Sequence, residues 1–177
     1  MTWIPYTQAG IALLLAGAAG FIDLHTGRIP NRLTLAGMGV GLALGAIVGG
    51  PRGALLALAA ALVTATIPLL LFKFNAMGGG DVKLLAGLGA LLGAGVGLEI
   101  EILAFFLGVV YGVGIWVKNG QLKAGLGQVL GLVVPPIFLK KSSHRSALAI
   151  RSTEIRFGPS IALATLAVVA FRIAGMR

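Results

Sequence analysis

Residues 53–72 read GALLALAAALVTATIPLLLF, twenty positions without a charged side chain. A helix of that length rises about 30 Å, the thickness of a bilayer's hydrocarbon core. Five more uncharged stretches accompany it: Thr2–Ile22, Leu33–Gly50, Leu84–Leu98, Ile102–Val117 and Phe157–Phe171. The last three fall short of the roughly 17 residues usual for a crossing, so they need local thinning or snorkelling flanks. The pattern predicts an all-α, polytopic membrane helix bundle of about six transmembrane helices.

Composition agrees. The chain is 58% hydrophobic and 11% charged, with a mean hydropathy of +1.00. Soluble domains carry about a quarter charged residues. The 177 residues are read as a single transmembrane domain, 1–177, with a cytoplasmic loop over about 118–156. With no cysteine there is no disulfide framework, thiol nucleophile or CxxC metal site. No Lys or Arg precedes the first apolar run, so residues 1–22 are read as a retained span rather than a cleaved signal. Val129–Leu139, which holds Pro135-Pro136, fits an interfacial or re-entrant segment better than a span.

Charge orients the bundle. With the N-terminus non-cytoplasmic, 11 of the 14 basic residues fall in cytoplasmic connections, as the positive-inside rule requires. The net charge of +9 and the pI near 11.0 are then explained by orientation and anionic lipid, without nucleic acid. The densest basic stretch, Lys140 to Arg145, is placed on the inner leaflet surface. Gly37, Gly41, Gly45 and Gly49 recur every four residues, as do Gly89, Gly93 and Gly97. Each set is read as one helix face that lets backbones pack closely within the bundle. Pro68 is expected to kink the third span.

Only two aspartates occur in the chain, and both sit at span boundaries. Asp23 follows the first run and Asp81 precedes Leu84–Leu98. A carboxylate costs about 2.5–3.5 kcal/mol at a helix centre in a bilayer, so acids at membrane depth are functional candidates. Two crossings separate them, which returns both to the cytoplasmic boundary. Paired acid/base chemistry is the natural expectation.

Asp81 closes the string Gly78-Gly79-Gly80-Asp81. The glycines are expected to adopt conformations closed to other residues and to leave an open strip of peptide groups for an extended substrate. Asp23 opens the other segment, which runs through Arg28-Ile29-Pro30-Asn31. Pro30 and Asn31 mark a turn, with Asn31 a candidate N-cap for the second span. Lys83 is expected to snorkel to the interface. His25 is read as incidental, and His25 and His144 do not make a metal set. Glu99 and Glu101 are expected to end a hairpin on the opposite face, and Glu154 to pair with a neighbouring arginine.

These motifs resemble those of the bacterial prepilin peptidases, which are type IV leader peptidases of the Gly-x-Gly-Asp class. The resemblance rests on Asp23 with Arg28-Ile29-Pro30-Asn31, on Gly78-Gly79-Gly80-Asp81-Val82-Lys83-Leu84 and on Arg156-Phe157-Gly158-Pro159. It implies a multi-pass inner-membrane aspartic endopeptidase with its site at the cytoplasmic face and Asp23 and Asp81 as catalytic residues. Its partners would be pilin-like precursors, cut between a basic leader and an apolar helix. Long members add a zinc-binding CxxC segment and methylate the new N-terminus. This chain lacks cysteine, so it resembles the short, peptidase-only members that serve Flp-type pili, with neither metal nor cofactor.

The expected mechanism is attack by a water held between Asp23 and Asp81, with one proton shared by the pair. Helix dipoles favour the charge on Asp81 and the proton on Asp23 by only about 0.3–1 kcal/mol, which leaves the roles open. A proton-coupled transporter is the alternative from another class, although its site would lie nearer the midplane. An archaeal-type preflagellin peptidase is the alternative within the family.

Overall fold

The computed structural model describes residues 5–120 and 156–175. The expectations for Val129–Leu139, Lys140 to Arg145 and Glu154 lie outside the described residues. Five helices follow one another: α1 (Tyr6–Thr26), α2 (Asn31–Lys73), α3 (Gly79–Leu92), α4 (Ala94–Lys118) and α5 (Gly158–Ala174). No strand occurs among the described residues, so the all-α expectation holds. Three helices, α1, α2 and α4, are long and apolar enough to cross a membrane. By packing, the chain divides into residues 1–107 with 156–177, and residues 108–155. The described part of the second unit, 108–120, is the end of α4 and the turn that follows.

The 43 residues of α2 are not one rod. At Gly50 the backbone takes φ 61°, ψ −153°, a region essentially reserved for glycine. Pro51, with φ already suited to a first helical turn, starts the chain again. A Cβ added to Gly53 would collide with the Gly45 carbonyl oxygen. In a straight helix these residues would be about 12 Å apart, so α2 doubles back on itself. The two arms, residues 31–49 and 51–73, match two of the uncharged stretches. The assigned helix runs through Pro68 to Lys73, and the non-helical residue is Gly50.

Between these arms lies α3. It has 14 residues, of which Val82 and every position from Leu84 to Leu92 are buried. A helix apolar all round belongs inside a bundle. Its contacts with α2 are made by small residues. A Cβ on Gly41 would come within 2.8 Å of the Ala90 carbonyl carbon, and one on Gly87 within 3.4 Å of the Met38 nitrogen. Thr64 is fully buried; its hydroxyl lies 2.9 Å from the Ala60 carbonyl and 3.3 Å from that of Leu85. Ala9, Ala12, Leu15 and Ala16 of α1 join Leu84, Leu88, Val96, Ile161 and Ala164 in one core. Outward positions such as Ile47 and Val48 are about four-fifths exposed, as suits a surface facing lipid.

One boundary differs from expectation. The uncharged run Leu84–Leu98 is broken at Gly93, whose φ of 85° ends α3, and α4 begins at Ala94 rather than at Ile102. Gly89, Gly93 and Gly97 therefore do not share one helix face. Gly89 and Gly97 face each other across the turn, where a Cβ on Gly97 would sit 3.0 Å from the Gly89 Cα. The reason is steric, since only residues without side chains let α3 and α4 turn so tightly.

The packing at Gly41 yields a test. An added Cβ meets backbone atoms of Ala90 and Leu91 at 2.8–2.9 Å, and backbone cannot swing aside. Gly41→Ala should destabilise the protein by about 1–3 kcal/mol. Gly39→Ala, with nothing within 4 Å, should be neutral or gain up to about 1 kcal/mol of helix propensity. Thermal unfolding in detergent compares the two, and equal effects would refute the assigned packing.

Candidate active site

Asp23 is carried by the last turn of α1, which closes on Gly27 through a Gly27 N–H bond to the Asp23 carbonyl at 2.8 Å. Its side chain is buried, at 6% exposure. Carboxylate Oδ2 accepts a hydrogen bond of 3.0 Å from the backbone N–H of Gly158, 135 positions away. Gly158 is the first residue of α5, where backbone donors have no partner within their own helix. Pro159 follows and removes the next donor. A Cβ on Gly158 would lie 2.8 Å from both Cβ and Oδ2 of Asp23, so glycine is what lets α5 reach the acid. One turn earlier in α1, a Cβ on Gly20 would lie 2.9 Å from the Ala162 Cβ. Phe157 stacks against Phe105 at 5.6 Å and ties the same junction to α4.

Asp81 stands in the first turn of α3, behind the N-cap Gly78. Its Oδ1 is buried without a hydrogen-bond partner. Asp81 lies three residues ahead of the apolar run that begins at Leu84. Its carboxyl is pushed up to about 7, first by burial and then by the charge of Asp23, against an opposing hydrogen bond from the Gly78 backbone. The two acids are therefore within electrostatic reach of each other, although 58 positions separate them in the chain.

The glycine string does not adopt the special backbone conformations expected of it. Gly79 and Gly80 are helical, and neither they nor Gly78 is among the positive-φ glycines, which are Gly27, Gly50, Gly93 and Gly120 among the described residues. What the three share is close approach. A Cβ on Gly78 would lie 2.9 Å from Asp81 Oδ2, one on Gly79 3.2 Å from the Phe72 ring, and one on Gly80 3.0 Å from the Ile29 Cβ. The missing side chains let the start of α3 settle against the α1–α2 connection and the end of α2.

That connection also carries Pro30 and Asn31. The N-cap of α2 is Pro30, with no side-chain cap; Asn31 is the first helical residue rather than the cap. The Asn31 Oδ1 instead accepts a 2.8 Å hydrogen bond from Lys83 Nζ, so the two motifs touch through Ile29–Gly80 and Asn31–Lys83. His25 is exposed. Its ring nitrogen Nδ1 lies 2.9 Å from the Phe21 carbonyl oxygen, and its ring packs on Phe21, which leaves it on its own helix.

The glutamates depart from expectation. Both lie inside α4 rather than at a hairpin end. Glu99 pairs with Arg172 of α5. Glu101 is buried at 1% exposure, with neither oxygen hydrogen-bonded. Among the described residues, no three His, Cys, Asp or Glu side chains gather as a metal site. Two contributors were not assigned a role from sequence, the Gly158 N–H and Ile29. The Gly-Pro pair at a helix start was a signal for the first, because it marks an N-terminus with free donors.

Comparison with curated proteins found no match, and neither did comparison with solved structures. A profile of the type IV leader peptidase family matches residues 10–113, a span that covers more than half of the chain and includes both aspartates and both of their motifs. The chain belongs to the type IV leader peptidase family.

Proposed function

We propose that the protein is a membrane aspartic endopeptidase that removes the basic leader from Flp-like type IV prepilins, using a water activated between Asp23 and Asp81. The observation that carries this reading is that the two aspartate motifs touch, with Ile29 beside Gly80 and Lys83 bonded to Asn31. Membership of a leader peptidase family speaks for peptide hydrolysis rather than proton-coupled transport. The bundle crosses the inner membrane six times, with the arms of α2 counted separately, and the site opens at the cytoplasmic face. The positive-inside bias of the sequence supports that orientation.

The surroundings of the acids suggest their roles. Asp23 has a backbone donor in Gly158, whereas Asp81 leaves Oδ1 without one. Burial and the neighbouring charge outweigh the small dipole preference, so the shared proton resides on Asp81. Asp23 takes a proton from water as the oxygen bonds to the scissile carbonyl carbon. Asp81 gives its proton to the carbonyl oxygen. On collapse, the C–N bond breaks, the amine takes the proton held by Asp23, and Asp81 recovers its own from the diol hydroxyl. Positioned proton transfers of this kind contribute about 10²–10⁴-fold each.

Three outcomes follow. Asp23→Asn and Asp81→Asn should each lower leader removal from a co-expressed prepilin by at least about 10²-fold, read by mass; substantial cleavage by either variant eliminates the mechanism. Because Asp81 must keep its proton, kcat/KM should fall as pH rises through about 7, and a rate that climbs through this range would reverse the assigned roles. Gly158→Ala pushes α5 off Asp23 and should cost up to about 10²-fold in kcat/KM, with the helical content measured by circular dichroism retained.

A further inference from the structure

We propose that the hydrogen bond from Lys83 to Asn31 is a brace that sets the position of Asp81 relative to Asp23, which makes both partners positioning residues. For its kinetic consequences the proposal rests on the peptidase reading above. Packing of α3 brings Asp81 to the junction, but the acid's own polar contacts are few. Its Oδ1 lacks a partner, and the residues before it are three glycines, which lose more conformational freedom on folding than any other residue. Without side chains, Gly78, Gly79 and Gly80 cannot anchor the start of α3 by side-chain bonds. The side-chain hydrogen bond leaving this turn comes from Lys83, and it reaches across 52 positions to Asn31 at 2.8 Å.

The place of that bond matters more than its strength. Lys83 is two residues beyond Asp81, and on a helix that spacing puts the two side chains on different faces. Lys83 can therefore grip α2 while leaving the Asp81 carboxyl clear. Asn31 is the first residue of α2, separated from the end of α1 only by residues 27–30, and α1 carries Asp23. The path from one acid to the other thus runs through α1, the short connection, Asn31, Lys83 and back one turn to Asp81. Ile29 lies beside Gly80 on the same path. That contact is apolar and non-directional, so it permits sliding, whereas a 2.8 Å bond between two side chains fixes a register.

The absence of native cysteine makes the juxtaposition directly testable. With cysteines introduced as Asn31→Cys and Lys83→Cys, a short bifunctional thiol reagent should join the two positions within one chain. Failure to cross-link overturns the proposal whatever the activity. Kinetics test the role on a purified precursor with a basic leader and an apolar helix, per amount of folded enzyme. Lys83→Met and Asn31→Ala should each lower kcat about tenfold with KM within about twofold. The double variant should be no worse than either single one, because both remove the same bond. Lys83→Arg should recover most of the loss, and cross-linking the cysteine pair should raise its kcat. Unchanged kcat in the single variants, losses that multiply to about a hundredfold, or an arginine variant as poor as the methionine one would each overturn the brace. A wild-type enzyme that does not cleave would defeat the peptidase reading alone, and the cross-link would still decide whether the segments meet.

Discussion

Everything at the acidic junction depends on how α3 is held between the two arms of α2. α3 is only 14 residues long, about 21 Å of helix, and buried along almost its whole length. In lipid there is little hydrophobic gain from bringing one apolar helix against another, so close van der Waals packing must hold them together. Gly41, Gly87, Gly89 and Gly97 provide it by leaving no side chain at the points of contact. The reversal at Gly50 makes the arrangement possible, because it turns one run of sequence into two walls of a slot.

Holding α3 in that slot fixes where its first turn emerges, and Asp81 with it. The second acid is set by a separate contact, the crossing of α1 and α5 at Gly20 and Gly158. The two acids therefore sit in unlike surroundings. Asp23 is buried and accepts a backbone donor at a helix N-terminus, whereas Asp81 is half-buried, with its Oδ1 enclosed and bare. On the proposed reading this asymmetry divides the labour, since a shared proton goes to the member whose charge is less well supported. The helix dipole acts in the opposite direction but is the smaller effect.

Much of the fold was legible before any coordinates. The uncharged runs marked helices because charge is costly in a bilayer wherever it lies. The break at Gly50-Pro51 was visible because Arg52 stands beside it. The break at Gly93 was not, because no charge accompanies it and its apolar neighbours read as one run. Glu99 and Glu101 misled for the same reason in reverse. Charges usually mark helix ends, but Glu99 is satisfied by Arg172, 73 positions away, and Glu101 is buried within α4. Asn31 read as a cap because its local chemistry suits one, yet its side chain goes to Lys83.

The sequence by itself determined that the chain forms apolar helices and that two aspartates stand apart from every other residue. Both follow from local facts, hydropathy over a helix length and the rarity of acids in it. Only the tertiary structure decided that Gly158 serves Asp23, that the glycines before Asp81 work by close approach, and that Lys83 reaches Asn31. Those contacts join residues 52 to 135 positions apart, or depend on which neighbour a missing side chain admits. No local pattern encodes them, because a hydrogen-bond donor or an absent Cβ acquires its meaning from whatever the fold places a few ångströms away.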